Sequence, residues 1–92
     1  MNTKHKGSKN ERKSIRYFEA AGYVCMKAGA SLGVFDIIGI GSNDIILCQV
    51  KSNRWCSSVE VEGMKLFKAP PNARKIIHRW DDYARIPKIQ EI

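Results

Sequence analysis

Asp36, Gln49 and Lys51 stand in two otherwise apolar stretches, Val34-Phe35-Asp36-Ile37-Ile38-Gly39-Ile40 and Ile45-Ile46-Leu47-Cys48-Gln49-Val50-Lys51. Side chains alternate faces along a strand. Val34, Asp36, Ile38 and Ile40 therefore share one face, and Ile45, Leu47, Gln49 and Lys51 share one face of the next strand. With Gly41 to Asp44 as the turn, Ile40 faces Ile45 and Ile38 faces Leu47. Asp36 then faces Gln49, with Cβ atoms about 5 Å apart, and Lys51 lies diagonally beyond. Burying a lone carboxylate or ammonium costs several kcal/mol, so these groups need a partner or a role. Glu11 falls on the i, i+4, i+7 stripe of a helix with Ile15 and Phe18, which turns its carboxylate inward. Carboxylate and amide oxygens are the donors that Mg²⁺ prefers. Such an ion polarises a phosphodiester and activates a water, and a lysine stabilises the developing charge. The chemistry implied is phosphodiester hydrolysis. The alternative is structural: an Asp36–Lys51 ion pair within the sheet and a solvated Glu11 near a helix start.

The elements that must position these groups follow from local patterning. Ser8 or Asn10 can cap a helix over about residues 9–21, and Gly22 supplies its stop. Tyr23–Lys27 is a short β-type run. The glycine-containing stretch Ala28–Gly33 marks a loop before the hairpin strands 34–40 and 45–51. Ser57 with Glu60 three residues on fits a capping box for a short helix to about Phe67, ended by Ala69-Pro70-Pro71. Ala73–Trp80 reads as a fourth strand. Lys88–Ile92 reads as a terminal strand able to pair back on it. The order α-β-β-β-α-β-β predicts an α+β fold, a mixed sheet flanked by helices in three layers. Residues 1–7 are expected as a flexible basic arm and 8–92 as a single domain.

At 92 residues the chain has room for one core and no separate catalytic domain. Sixteen Lys+Arg against nine Asp+Glu leave a net charge of +7, which favours a polyanionic partner. No apolar run is long enough to span a bilayer and the first residues lack a signal-peptide core, so an intracellular location is expected. Cys25, Cys48 and Cys56 form no C-x-x-C pair, and a zinc site or disulfide framework is not expected.

The ordered run Lys6-Gly7-Ser8-Lys9-Asn10-Glu11-Arg12, Gly22-Tyr23-Val24, Ala28-Gly29-Ala30-Ser31, Phe35-Asp36-Ile37-Ile38 and Gln49-Val50-Lys51 resembles the archaeal Holliday junction resolvases, of the PD-(D/E)xK nuclease superfamily. The resemblance implies a restriction-endonuclease-like core, Mg²⁺-dependent cleavage with Mn²⁺ able to substitute, and a homodimer acting on branched DNA. Glu11 then matches the helix acid, Asp36 the motif aspartate, Gln49 the second motif acid and Lys51 the motif lysine. Asp36, Gln49 and the Val50 backbone carbonyl would hold the metal, with Glu11 reaching it through water. Ser31 matches a loop serine near the site. Phe35 stands where the motif has proline, and Gln49 where it has a carboxylate. An amide oxygen still ligates Mg²⁺, but with weaker affinity. A catalytically weak or inactive nucleic-acid-binding module of the same fold is the alternative that the glutamine keeps open.

Lys6, Lys9, Arg12, Lys13 and Arg54, with Ser31, are the expected DNA contacts, since long cations beside a cleft steer a polyanion. Trp55 and Trp80 are read as core or interface rather than as stacking platforms. Glu60 and Glu62 are assigned to the helix dipole and His78 to structure.

Overall fold

The computed structural model describes residues 3–29 and 32–92, with side chains from Gly7 onward. Helix α1 (Thr3–Ala20) precedes strands β1 (Val24–Lys27), β2 (Ile37–Ile40) and β3 (Ile45–Ser52). Helix α2 (Ser58–Leu66) then leads to β4 (Ala73–Trp80) and β5 (Lys88–Glu91). The strands form one five-stranded sheet in the order β1-β2-β3-β4-β5. All neighbours are antiparallel except β3 and β4, which are parallel. Parallel neighbours need a crossover, and α2 is that crossover.

The hairpin register is the expected one, with Ile40 opposite Ile45 and Ile38 opposite Leu47. Because the side-chain period is two, this sorts the sheet into two apolar faces. Ile37, Ile46, Cys48 and Ile76 pack under Phe18 of α1. Leu47, Ile77 and Phe35 pack under Met64 of α2. Each such fully buried side chain contributes about 1.5–3 kcal/mol. The result is the α+β, three-layer architecture with helices on both sides of a mixed sheet.

Three expectations need correction. Helix α1 begins at Thr3 rather than near residue 9, so residues 3–7 carry helical backbone. Lysine is a good helix former, and a single internal glycine, Gly7, costs only about 1 kcal/mol. Ser8 and Asn10 lie inside α1 and do not cap it: Ser8 accepts a hydrogen bond from Lys27 at 3.1 Å and Asn10 donates to Ser52 at 2.6 Å. Strand β2 starts at Ile37 rather than Val34, because the backbone before it turns to bring Phe35 into the α2 layer.

Other signals hold. Ser57 and Glu60 form a reciprocal capping box. Gly22, at φ +99°, ends the α1 segment in a conformation that a side chain would resist. Strand β5 pairs back on β4, as expected.

Candidate active site

The inner stripe of α1 is more polar than helical spacing alone suggests: Asn10, Ser14 and Phe18 are buried, while Glu11 is displaced to the flank and half-buried. The buried polar groups are matched. Asn10 ties the start of the stripe to Ser52 at the end of β3. The Trp80 indole N–H donates to Ser14 Oγ at 2.7 Å, and Ser14 Oγ lies 2.8 Å from His78 Nδ1. Indole is donor only, so Ser14 Oγ accepts from Trp80 and its remaining capacity meets Nδ1 of the histidine. These contacts clamp α1 across β3 and β4 and deliver Glu11 to the sheet edge, where it pairs with Lys27 at 3.7 Å.

Asp36 stands one residue before β2. Its backbone N–H donates to the Cys48 carbonyl at 2.8 Å, and its Oδ2 accepts from the Val50 N–H at 2.8 Å. The carboxylate is thereby fixed against β3 beside Gln49. Burial pushes its pKa up, opposed by the Val50 N–H and by Lys51 and assisted by the charge of Glu60. Glu11 is likewise pushed up, first by burial and then by Asp36, against the pull of Lys27. The charge of Asp36 therefore reaches Glu11 on the helix.

Gln49 and Lys51 project to the α2 side, as strand alternation predicts. Gln49 Oε1 is buried and has no hydrogen-bond partner. Such an orphan costs about 1–3 kcal/mol in a site with no further occupant. Lys51 is nearly buried, and its ammonium pairs with Glu60 Oε2, so it is not the partner of Asp36 that a purely structural account required. Glu60 serves two purposes. Oε1 accepts the Ser57 backbone N–H at 2.9 Å in the capping box, and Oε2 holds Lys51. That lysine, followed by the Ser57 N–H, draws the Glu60 carboxyl down to about 2.

Glu60 is the site residue that sequence reasoning missed. Its capping role was legible; its second contact depends on how α2 returns across the sheet, which local spacing does not encode. Of the expected DNA contacts, Lys9 and Arg12 are exposed on α1, Arg54 is exposed after β3, and Lys13 lies over the Trp80 ring at 5.3 Å. Ser31 and the side chain of Lys6 lie outside the described residues. Trp80 is core, whereas Trp55 is partly exposed under Arg79 at 5.6 Å.

Among the described residues no group of three or more His, Cys, Asp or Glu side chains could hold a metal ion. A cation at this end would rest on one or two carboxylates with amide and carbonyl oxygens, which is how Mg²⁺ is commonly held, keeping several waters. The open lone pairs of Gln49 Oε1 and the two acids with raised pKa fit that donor set.

A hairpin that carries an acid, an amide and a lysine to one end of a mixed sheet, with a helix acid beside them, defines the restriction-endonuclease-like class of nuclease folds. A family profile described as archaeal Holliday junction resolvase (hjc) matches residues 2–75, and the chain belongs to that family. The family's activity is endonucleolytic hydrolysis of branched DNA. Among solved structures, the chain is similar to Archaeoglobus fulgidus Hjc, described as a Holliday junction resolvase from an archaeal hyperthermophile. The TM-score is 0.75 at 20% identity, over 94% of this chain and 72% of that one. No curated protein matches.

Proposed function

We propose that this chain is a Mg²⁺-dependent endodeoxyribonuclease that acts on branched DNA as a homodimer, with Glu11, Asp36, Gln49 and Lys51 as its working residues. The observation that carries the reading is the buried, unpartnered Oε1 of Gln49 beside an acid whose pKa is pushed up by burial. Asp36, Gln49 and the Val50 carbonyl would hold the ion, with Glu11 reaching it through a water. When bound, the ion supplies polarisation of the phosphate and acidification of a water. Lys51 orients the attacking water and balances the charge that develops as a water oxygen bonds to phosphorus and the sugar oxygen departs. Glu60 holds the ammonium of Lys51 at its working position. Lys9, Arg12, Lys13 and Arg54, with Lys6 and Ser31 from outside the described side chains, take backbone phosphates.

A branched substrate opened by two cuts needs two sites, and each chain carries one cluster. The uncovered face of β1 and β2 suits a second copy. Val24 and Ile40 are opposite neighbours in the sheet, 70% and 51% exposed, and Met26 beside them is 58% exposed. Contiguous exposed apolar surface of this kind marks association, and a two-fold interface is self-complementary.

The test is cleavage of labelled four-way junction, flap, duplex and single strands with Mg²⁺, Mn²⁺ or EDTA, for wild type, Asp36→Ala and Lys51→Ala. Metal-dependent cutting that both substitutions remove supports the reading. Tight binding without cutting under any metal replaces it with a binding module. Sedimentation of Met26→Glu tests the dimer: the reading requires a dimeric wild type and a monomeric, folded variant.

A further inference from the structure

On the α1 side of the sheet, Lys13, Arg16, Tyr17, Trp80, Ala84 and Arg85 line a concavity of about 430 Å³. We propose that this hollow is a second phosphate-binding site, which takes the DNA backbone outside the cleavage cluster. The proposal rests on the reading of the chain as a DNA-binding nuclease and extends it to a region that the cleavage cluster does not include.

Charge pairing is the first support. Arg74, Arg79 and Lys88 on β4 and β5 are each neutralised by acids, namely Asp44 and Glu91 for Arg74, and Asp81 for the other two. Lys13, Arg16 and Arg85 have no ion-pair partner among the described residues, and no acid lines the hollow. Three cations around one concavity repel one another unless an anion enters, and a phosphodiester chain is the anion that long cations converge on.

Rigidity is the second. The Trp80 ring is locked by its bond to Ser14 and forms a fixed wall beneath Lys13. Its ring is buried, so it is not offered to a base, and the site reads backbone rather than sequence. Tyr17 is exposed and adds a neutral hydroxyl donor.

Position is the third. Arg16 follows Glu11 by five residues on α1, about 7.5 Å along the helix axis at 1.5 Å per residue. Five residues also turn about 140° around the helix at 3.6 residues per turn, so Arg16 opens onto a different side of α1 from Glu11, and a strand that meets both wraps the helix.

The experiment measures binding of four-way junction and duplex DNA in EDTA over a salt series from about 50 to 200 mM. Wild type, Arg16→Ala/Arg85→Ala, Arg16→Lys/Arg85→Lys and Lys65→Ala/Lys68→Ala are compared. The last removes the same charge from exposed positions of and beyond α2. The expected result is an affinity about tenfold lower and a log–log salt slope shallower by roughly 2 for the alanine pair alone. The lysine pair should retain most of the slope, which separates loss of charge from loss of fold. An unchanged slope in the alanine pair, or an equal loss in the α2 control, overturns the site, as does a wild type that binds neither DNA. Competition by inorganic phosphate as strong as that by DNA would overturn the assignment to a backbone and leave a free-phosphate site. Binding that behaves as expected in a wild type that never cuts would sink the nuclease reading and leave this one standing.

Discussion

The two ends of the β2–β3 hairpin carry similar numbers of polar groups but treat them differently. At the turn end, Tyr23 donates to both oxygens of Asp44 at 2.9 Å. Arg74 reaches Asp44 at 3.5 Å and grips Glu91 through two nitrogens at 2.9 and 2.8 Å. Every member has its complement, and the network ties the residues just before β1 and β3 to β4 and β5. At the far end, Asp36 and Glu11 are both pushed up by burial, Gln49 Oε1 has no partner, and Lys51 is held by an acid from another element. Matched charges read as structure. A buried amide oxygen left open beside acids pushed up by burial is what supports the proposed ion site.

The strongest way to break this contrast is to remove one group from each end. Asp36→Ala and Lys51→Ala are each expected to lower the cleavage rate on the order of 10³-fold, as loss of a transition-state contact does. Arg74→Ala should leave single-turnover cleavage close to wild type. Equal losses from both ends would mean that the far cluster has no special role.

The second test concerns the other buried orphan, His78 Nε2. It lies inside the core, stacked on Phe18 with centroids 4.5 Å apart. Burial lowers its pKa to about 4 from the ordinary 6.5. A group whose folded pKa is depressed and whose neutral form is the buried one stabilises the fold fully above about 6.5. That stability is lost as pH falls toward 4, because the unfolded chain takes up the proton first. The expected loss over this window is about 3 kcal/mol. His78→Gln should flatten that part of the denaturation-against-pH profile. A wild-type profile already flat there would show that the ring is not buried neutral, and an orphan atom would lose its value as a marker of either function or strain.

Glu60 gives a finer test, because its capping and tethering roles separate chemically. Glutamine also serves at this position of a capping box. Glu60→Gln should therefore preserve α2 while releasing Lys51 from its ion pair. A fall of about 10- to 100-fold in kcat with KM little changed is expected, the usual cost of losing a group that orients a working residue. In Lys51→Ala the further change Glu60→Gln should have almost no effect. An additive double variant would sink the tether.

The hairpin was legible because its register follows from a four-residue turn and from alternation, both local. The capping box of α2 was legible for the same reason, as was the pairing of β5 with β4. What escaped depends on three-dimensional return. Glu60 meets Lys51 only because α2 crosses back over β3. Ser14 and Asn10 are buried only because His78, Trp80 and Ser52 offer partners, 42 or more residues away in sequence. Hydrophobic spacing put Glu11 on the inner stripe of α1; the polar partners rotate that stripe and move Glu11 to its flank. The start of α1 was misread because Gly7 and a basic run look like an arm when only propensity is consulted.

The smallest expected effect sharpens the contrast by changing the charge of the open end. Gln49→Glu adds a carboxylate next to Asp36 without lengthening the side chain. In the absence of metal it places a third acid near two whose pKa is already raised, so thermal stability in EDTA should fall by about 1 kcal/mol. With Mg²⁺ the added charge becomes favourable, and half-maximal stabilisation should occur at a roughly tenfold lower concentration than in wild type. A matching change at the turn end, Arg74→Ala, also costs about 1 kcal/mol or less, since Arg74 and Glu91 are exposed and Asp44 is only partly buried, but that loss should be indifferent to Mg²⁺. If Gln49→Glu were equally indifferent, the far end of the hairpin would have to be regarded as an imperfectly matched version of the turn end, and not as a metal site.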